Sequence, residues 1–254
     1  MPSWDPSQYL KFADDRLRPA LDLIARIPDA RYRTIWDLGC GTGNITKLLH
    51  DRWPEARVRG LDNSPDMLLK ARALEGIEWI EGDAASWTVE EPADLVFSNA
   101  VLHWLGEHEA LFPRLVRQLA RGGVLAVQMP RNFGAPSHTL LYETAANGPW
   151  ATQLVPYLRP SPVAKPEAYY DMLMPHATHL DIWETEYLHV LQGENAVLEW
   201  TKGTAVRPLL DRVAPEQRRD FLMAYAEKLR TAYPRRRDGM TLYPFRRLFI
   251  VARR

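Results

Sequence analysis

The chain has 254 residues, 46% of them apolar, and its 32 basic residues balance its 32 acidic residues. This composition excludes disordered and fibrous classes, because it supplies enough apolar surface for the core of one domain, or of one domain with a cap. A formal net charge of zero provides no global field that would attract nucleic acid or an anionic membrane. The single cysteine, Cys40, excludes an intramolecular disulfide and a cysteine-based metal site.

The start of the chain has neither the basic nor the apolar segment of a secretory signal, and no stretch is long and apolar enough to span a bilayer. We therefore expect a cytoplasmic protein without a metal, whose partners include neither membrane nor nucleic acid. One region departs from neutrality, since residues 203–254 hold 13 Lys+Arg against 5 Asp+Glu. This basic stretch is either a solvated face or a wall that binds anions.

The first half of the chain alternates helical and strand-like segments. Strands are predicted over 33–38, 56–61, 77–80, 93–97 and 124–129, and helices over 16–27, after the glycines at 39–43, over 64–74 and around 112–119. Ser64 followed by Pro65 is typical of a helix N-cap with proline at the first helical position. Strands alternating with helices at this spacing predict a parallel sheet.

The second half is less regular, because prolines interrupt the helical pattern between residues 130 and 175. A long strand is predicted over 179–191, more helix from 196 to about 232, and a last strand over 247–252, antiparallel at the sheet edge. We predict one α/β domain over 1–254, with a Rossmann-like, seven-stranded, mostly parallel sheet and helices on both faces. Residues 131–176 and 192–240 are predicted to form an inserted helical cap over the carboxyl edge of the sheet, where such folds bind ligands.

The loop after the first strand reads Asp37-Leu38-Gly39-Cys40-Gly41-Thr42-Gly43. Glycines at every second position let the backbone turn tightly and approach a ligand without Cβ interference. Such a loop serves either a dinucleotide or S-adenosylmethionine. A dinucleotide site would have its third glycine one residue later, at Asn44, and would need room for an anionic pyrophosphate on the helix N-terminus.

Acidic residues stand at or near the ends of the first three predicted strands, namely Asp37, Asp62 and Asp83. Their charge would repel two phosphates and attract the ammonium and sulfonium groups of S-adenosylmethionine, so the pattern favours the methyl donor. Asp62 is placed to accept hydrogen bonds from both ribose hydroxyls. Asp83 suits the exocyclic amine of adenine, with Ala84 and Met67 packing on the ring.

The other predicted cofactor contacts come from the same strand ends: Gly39, Cys40, Gly41, Asn63, Asn99, Ala100 and Trp104. Trp104 follows the fourth strand and is predicted to line the pocket for cofactor and substrate, with core packing as the alternative. His103 is predicted to be structural rather than a base.

Several stretches carry a resemblance to known families. Residues 37–43 look like motif I of class I methyltransferases. The narrower trans-aconitate 2-methyltransferase family is similar at Asn99-Ala100-Val101-Leu102-His103-Trp104-Leu105, at Gly122-Gly123-Val124-Leu125-Ala126-Val127-Gln128-Met129-Pro130, and at 4–10, 168–171, 181–183 and 247–254. Arg131 and the proline-rich segment 150–166 depart from the family pattern. The resemblance covers nearly the full chain.

This resemblance implies methyl transfer from S-adenosylmethionine to one carboxylate of trans-aconitate, a small tricarboxylate, with a monomethyl ester and S-adenosylhomocysteine as products. It also implies that Gln8, Tyr9 and Phe12 fold over the cofactor. A carboxylate with a pKa of about 4 is already ionised at neutral pH, so we expect no catalytic base. Catalysis would come from holding its oxygen in line with the methyl carbon and sulfur, and from excluding water.

Arginine is the side chain that neutralises and orients carboxylates, because its planar fork binds them bidentately. The predicted substrate contacts are Arg131, Arg207, Arg246, Tyr243, Trp104 and Tyr170. Each arginine has an alternative role on a solvated surface or beside an acid. Two other functions stay open: methylation of another small acid or of a nitrogen or carbon nucleophile, and an RNA methyltransferase that uses the basic C-terminal part.

Overall fold

The computed structural model describes residues 13–158 and 161–254. Helices α1 to α10 span, in chain order, Ala13–Arg26, Asn44–Arg52, Pro65–Ala71, His108–Arg117, Pro136–Ala146, Ala151–Leu154, Pro166–Leu173, Ala196–Lys202, Arg207–Leu210 and Arg218–Ala232. Strands β1 to β7 span Thr34–Leu38, Arg57–Asp62, Glu78–Glu81, Ala93–Asn99, Leu119–Pro130, His179–Gln192 and Met240–Arg253. Among these described residues, no helix is long and apolar enough to cross a membrane.

The strands form one seven-stranded sheet in the order β3-β2-β1-β4-β5-β7-β6. Strands β1 to β5 pair in parallel, and β7 runs antiparallel to β5, with Pro130 opposite Arg247 and Val124 opposite Arg253. The predicted seven-stranded, mostly parallel sheet is confirmed. The last strand was predicted to lie at the sheet edge, and this was wrong: β7 lies between β5 and β6, so β6 forms the edge. The chain order reverses between β1 and β4, and the carboxyl ends of strands at such a reversal are where open α/β sheets bind ligands.

Two local features show how sequence determines element boundaries. Helix α3 begins as predicted, because the Ser64 Oγ accepts from the Met67 N–H at 3.4 Å and Pro65 occupies the first turn. More helix was predicted from 196 to about 232, and the structure divides this stretch into α8, α9, a 3₁₀ turn at Pro215–Gln217 and α10, since Pro208 and Pro215 have no N–H to continue a helix.

The described residues group into two compact units. The sheet unit comprises residues 17–130, 162–185 and 247–254. Its central strand β4 is buried at Leu95, Val96 and Phe97, as expected for a parallel strand that is covered on both faces.

The helical unit comprises residues 131–158, 161 and 186–246, with 13–16. Its apolar core is built on side chains that include Leu141, Trp150, Trp200, Phe221 and Tyr243. It overlaps the predicted cap of 131–176 and 192–240, although residues 162–176 group with the sheet unit. Strands β6 and β7 contribute residues to both units.

Candidate functional site

The loop between β1 and α2 is left-handed at all three glycines, with φ of 79° at Gly39, 57° at Gly41 and 83° at Gly43. Residues with a Cβ adopt this conformation only at a cost, so the alternating glycines are required by the backbone. The N–H groups of Gly39 and Cys40 both donate to the Leu61 carbonyl, at 2.7 and 3.0 Å. These bonds tie the loop to the end of β2.

The space around each glycine shows which of them is required by protein packing and which borders space open to a ligand. A Cβ on Gly39 would lie 2.3 Å from the Val101 side chain, and one on Gly43 would lie 2.5 Å from the Trp79 ring. A Cβ on Gly41 would have no neighbouring atom within 4 Å. Protein packing therefore requires glycine at 39 and 43, while Gly41 borders open space that a ligand can occupy. The contact of Val101 with Gly39 also brings the loop after β4 to the loop after β1.

Asp62, at the end of β2, connects two of these loops. Its Oδ2 accepts from the Gly41 N–H at 2.8 Å, and its Oδ1 accepts from the Ser64 N–H at 2.9 Å. The side chain is only half-buried. A carboxylate offers about four acceptor positions, so two remain for hydroxyl groups of a ligand.

Asp37, in β1, is a buried carboxyl group at the base of the glycine loop. Burial is the main cause that raises the pKa of Asp37 to about 7; the hydrogen bond from Thr46 Oγ1 at 2.6 Å opposes the rise, and the charge of the nearby Asp62 adds to it. Near neutral pH both the protonated and the ionised form of this group are therefore populated, and a cation beside it would favour the carboxylate. Burial also raises the pKa of the Cys40 thiol, with Asp37 and Asp62 adding to the rise, so Cys40 stays a thiol.

The predicted adenine contacts lie around the end of β3. Asp83 is exposed, and its Oδ1 accepts from the Ala85 N–H at 2.8 Å, which closes a tight turn. Ala84 is buried within this turn, Met67 is half-buried on α3, and Asn63 is exposed beside Asp62.

The chain is strained where it leaves β4. Ala100, a non-glycine residue, has φ of 58° and donates its N–H to the Gln128 carbonyl at 2.9 Å. Such strain costs of order 1–3 kcal/mol and concentrates at functional sites. The left-handed conformation of Ala100 sets the direction of the chain between Asn99, the last residue of β4, and Trp104. The indole of Trp104 is 49% exposed, which is unusual for tryptophan, whereas His103 is buried.

The predicted substrate residues fall in both units. Trp104 and Tyr170, which is 52% exposed on α7, belong to the sheet unit. In the helical unit, the Arg131 N–H donates to the Arg246 carbonyl at 2.9 Å, so these two arginines are neighbours. Arg207 is half-buried at the start of α9.

Tyr243 is fully buried, and its hydroxyl donates to Ser137 Oγ at 3.1 Å. Gln8, Tyr9 and Phe12, predicted to cover the cofactor, lie outside the described residues. The structure adds three residues that the sequence analysis did not single out: Thr46 beside Asp37, Val101 against Gly39, and Asn132, whose Oδ1 accepts from the Arg246 N–H at 3.3 Å. No motif includes Thr46, and the stretch 99–105 gives Val101 no role of its own, because each acts through a contact distant in sequence.

Across residues 13–158 and 161–254, no group of three or more His, Cys, Asp or Glu side chains could hold a metal ion. The described residues at the ends of β1, β2, β3 and β4 present instead backbone N–H groups, carboxylates and a glycine bordering open space. This donor set fits a ribose and an ammonium group.

Comparison with known proteins matches a family model described as a methyltransferase domain to residues 35–123. A trans-aconitate 2-methyltransferase of Azoarcus sp. (strain BH72) is 49% identical over 99% of this chain and 99% of its own. One of Methylobacterium radiotolerans is 47% identical over 100% of this chain and 99% of its own. Among solved structures, an S-adenosylmethionine-dependent methyltransferase from Mesorhizobium loti shares the fold. Its TM-score is 0.52 at 22% identity, over 92% of this chain and 96% of its own.

Proposed function

This chain belongs to the trans-aconitate 2-methyltransferase family, and on that premise we propose that it methylates one carboxylate of trans-aconitate. The methyl group comes from S-adenosylmethionine, and the products are a monomethyl ester and S-adenosylhomocysteine. The relatives carry the choice of acid, and the observation that supports the methyl donor is the site at the ends of β1 and β2. There Asp62 holds the Gly41 N–H while Gly41 itself borders open space.

The residues present fit the methyl donor, which supplies an electrophilic methyl group when bound. Asp62 keeps acceptor positions for the two ribose hydroxyls. Because the pKa of Asp37 lies near neutral pH, a cationic ligand beside it would keep this group ionised as a carboxylate. We propose that Asn63, Met67, Asp83 and Ala84 enclose the adenine, and that Gly39, Cys40, Asn99, Ala100 and Trp104 complete the site. Gln8, Tyr9 and Phe12 are proposed to cover it.

The reaction demands alignment rather than proton transfer. A free carboxylate is ionised at neutral pH, so an oxygen lone pair is available and no side chain must remove a proton. The chain contributes by orienting that oxygen at about 3 Å from the methyl carbon, in line with the leaving sulfur, and by excluding water. The hydrogen bond from the Ala100 N–H to the Gln128 carbonyl holds this strained residue in place, and we propose that it fixes one wall of the site.

Selectivity for a tricarboxylate requires cations and apolar surface together. We propose that Arg131, Arg207 and Arg246 supply the cations, and that the exposed rings of Trp104 and Tyr170 cover the acid. The proposed setting is the cytoplasm, where the protein acts on a small molecule and not on a membrane or a nucleic acid.

The test is transfer of a labelled methyl group from S-adenosylmethionine to a panel of acids. The panel contains trans-aconitate, cis-aconitate, citrate and a monocarboxylate, and a base-labile product identifies an ester. We expect a strong preference for trans-aconitate. Equal transfer to all acids would contradict the proposed selectivity, and binding of S-adenosylmethionine without transfer to any acid would refute the proposed substrate.

A further inference from the structure

The segment between β4 and α4, residues 100–107, has an unfavourable backbone conformation at both of its ends. Ala100 has φ of 58° and Glu107 has φ of 55°, and neither residue is glycine. Such conformations persist only where contacts with the surrounding structure impose them. Between the two strained residues lies a 3₁₀ turn, Leu102–Trp104, and its last residue is the exposed tryptophan. The contacts that hold this turn therefore determine where the Trp104 ring lies.

His108, the first residue of α4, supplies such a contact. Its ring is buried, and its Nε2 lies 2.9 Å from the Leu102 carbonyl oxygen. A carbonyl oxygen only accepts, so Nε2 carries a proton, and in the neutral ring Nδ1 is then an acceptor. Burial lowers the pKa of His108, although hydrogen bonds to the backbone of Leu102 and Leu105 oppose this, so the ring is neutral at neutral pH. The imidazole thus holds the 3₁₀ turn that ends at Trp104.

The acceptor atom of His108 is used by Tyr169 of α7. The Tyr169 hydroxyl donates to His108 Nδ1 at 2.7 Å, and both side chains are buried. Phe112 packs against both rings, with centroid distances of 5.2 Å to His108 and 4.9 Å to Tyr169. Because water is excluded from this bond, removal of the hydroxyl would leave His108 Nδ1 buried without a donor. The bond therefore fixes α7 against the start of α4.

Helix α7 carries a second exposed aromatic ring. Tyr169 and Tyr170 both belong to the stretch 168–171, one of those that resemble the trans-aconitate 2-methyltransferase family. Tyr169 is fully buried, whereas Tyr170 is 52% exposed. Successive residues of a helix point about 100° apart, so a helix with Tyr169 fixed against His108 presents Tyr170 in one direction. One buried bond thus connects the turn that carries Trp104 with the helix that carries Tyr170, and all four residues lie in the sheet unit.

We propose that the hydrogen bond between Tyr169 and His108 positions the two exposed aromatic rings, Trp104 and Tyr170, that cover the acid substrate. This inference rests on the proposed function and deepens it, because it identifies what holds the aromatic contacts of that site. Tyr169 and His108 are positioning residues, which act through α7 and the 3₁₀ turn and do not touch the acid. Loss of the bond therefore affects KM for the acid more than the methyl transfer step.

The first test compares Tyr169→Phe with Tyr32→Phe. Tyr32 is the matched control, because it is buried in the same unit and its hydroxyl donates to the Pro28 carbonyl at 3.0 Å. It precedes β1, so it lies at the opposite edge of the sheet from Trp104. Each variant loses one buried hydrogen bond, and both should lower the melting temperature by about 2–4 °C.

The kinetic effects of the two variants should differ. With S-adenosylmethionine at saturation, Tyr169→Phe should raise KM for trans-aconitate by roughly 3- to 10-fold and change kcat by less than about 2-fold. Tyr32→Phe should leave both constants at the wild-type values. A wild-type KM in Tyr169→Phe, or an equal rise of KM in Tyr32→Phe, would overturn the proposal.

A double-mutant cycle separates positioning from a general loss of packing. Tyr169→Phe acts through Trp104 and Tyr170, so its effect on KM should disappear in a protein that already carries Trp104→Ala and Tyr170→Ala. Such dependence on the two rings is not expected of a residue that only stabilises the fold. A rise of KM by the same factor in both backgrounds would contradict the assigned role.

Fluorine NMR of protein labelled with 5-fluorotryptophan tests the positioning without substrate. The chain has nine tryptophans, and the signal of Trp104 is identified by its absence in Trp104→Phe. We expect this signal to shift or broaden in Tyr169→Phe and in His108→Gln, which keeps a donor for Leu102 but loses the acceptor for Tyr169. It should not change in Tyr32→Phe.

The same spectra separate this inference from the proposed function. A changed Trp104 signal in Tyr169→Phe, in a protein that does not methylate trans-aconitate, would support the positioning and refute the substrate. Methylation of trans-aconitate together with the same Trp104 signal in wild type, Tyr169→Phe and His108→Gln would leave the proposed function standing and refute the positioning.

Discussion

At the scale of single residues, Asp62 is the group on which the proposed cofactor recognition depends most. Its carboxylate organises the loops after β1 and β2 through Gly41 and Ser64, and we propose that its remaining acceptor positions bind a ribose. Asp62→Ala should weaken binding of S-adenosylmethionine by about 1.5–3 kcal/mol, the usual cost of a lost hydrogen bond to a charged group. Isothermal titration calorimetry measures this directly.

Asp62→Asn is the matched variant, because it keeps one acceptor oxygen and removes the charge. It should bind more weakly than the wild type and more tightly than Asp62→Ala. Asp51→Ala removes an exposed carboxylate that pairs with Lys47, and should leave binding unchanged. Wild-type affinity in Asp62→Ala would show that this residue does not hold the ribose.

The glycines of the loop should differ in what their replacement costs. Gly41→Ala meets no atom within 4 Å but must keep φ at 57°, so it should lose about 1–2 kcal/mol of unfolding free energy and also lose cofactor affinity. Gly39→Ala adds a clash with Val101, for which overpacking costs roughly 1–3 kcal/mol more.

Urea denaturation measures both costs, with Gly106→Ala as the control, because that glycine has open space around it and no left-handed φ. Equal stability of Gly39→Ala and Gly41→Ala would mean that Val101 does not pack as described.

Residues of this site differ in how far sequence could identify them. Gly39, Gly41, Asp37 and Asp62 belong to a local pattern, so alternating glycines and strand-end acids were enough to predict a nucleotide-like ligand. The strained backbone at Ala100 was beyond such reasoning, because alanine has no preference for φ near 58°. The packing of the chain between β4 and β5 imposes it, through the bond to Gln128.

At the scale of elements, the first turn of α5 makes a pH-dependent contribution to stability. His138 is buried against Phe133, and burial lowers its pKa to about 4. The unfolded chain takes up this proton below about pH 6.5, whereas the folded chain resists until about pH 4. The unfolded state thus binds more protons across this interval, and the free energy of unfolding must fall as the pH drops through it.

His138→Gln should remove that part of the pH dependence. Between pH 7.5 and pH 5, the wild type should lose about 2 kcal/mol of unfolding free energy more than the variant does. Urea denaturation at the two pH values gives the difference, with His176→Gln, which removes an exposed histidine, as the matched control variant. Asp37 contributes in the opposite direction in both proteins, because its raised pKa favours the folded state at low pH, so comparison of the variants cancels it. An identical pH dependence in wild type and His138→Gln would contradict the account of this helix turn.

The elements also show which parts of a fold a sequence encodes locally. The first four parallel strands were predicted to within two residues at each end, since each ends at or beside a glycine, an acid or an asparagine. Strand β5 begins at Leu119, five residues before the predicted start at 124. Strand β7 begins at Met240, seven residues before the predicted start at 247. Its first half alternates buried Thr241, Tyr243 and Phe245 with Leu242 and Pro244, and this lacks the polar and apolar alternation that marks a strand. The position of β7 in the sheet could not be predicted from its own residues either, because that position depends on which strand pairs with β5.

At the scale of the whole molecule, charge argues against a nucleic-acid ligand. The net charge is zero, and basic side chains of the helical unit have partners of their own: Lys228 donates to Glu143, and Arg230 donates to Asn195. A protein that neutralises few phosphates binds RNA weakly and with little dependence on salt. We expect no change in the fluorescence anisotropy of a labelled RNA at low micromolar protein and 150 mM salt. A steep loss of affinity with rising salt would instead support the RNA methyltransferase alternative.

The central claim, that the acceptor atom is a carboxylate oxygen, can be tested by locating the transferred methyl group. S-adenosylmethionine carrying a ¹³C-methyl group is incubated with trans-aconitate and the enzyme, and the product is examined by ¹³C NMR. We predict a single new methoxy signal that disappears on mild alkaline hydrolysis, with one label per molecule of acid. A signal from a methyl group on carbon, or no labelled acid while the cofactor remains bound, would contradict the account.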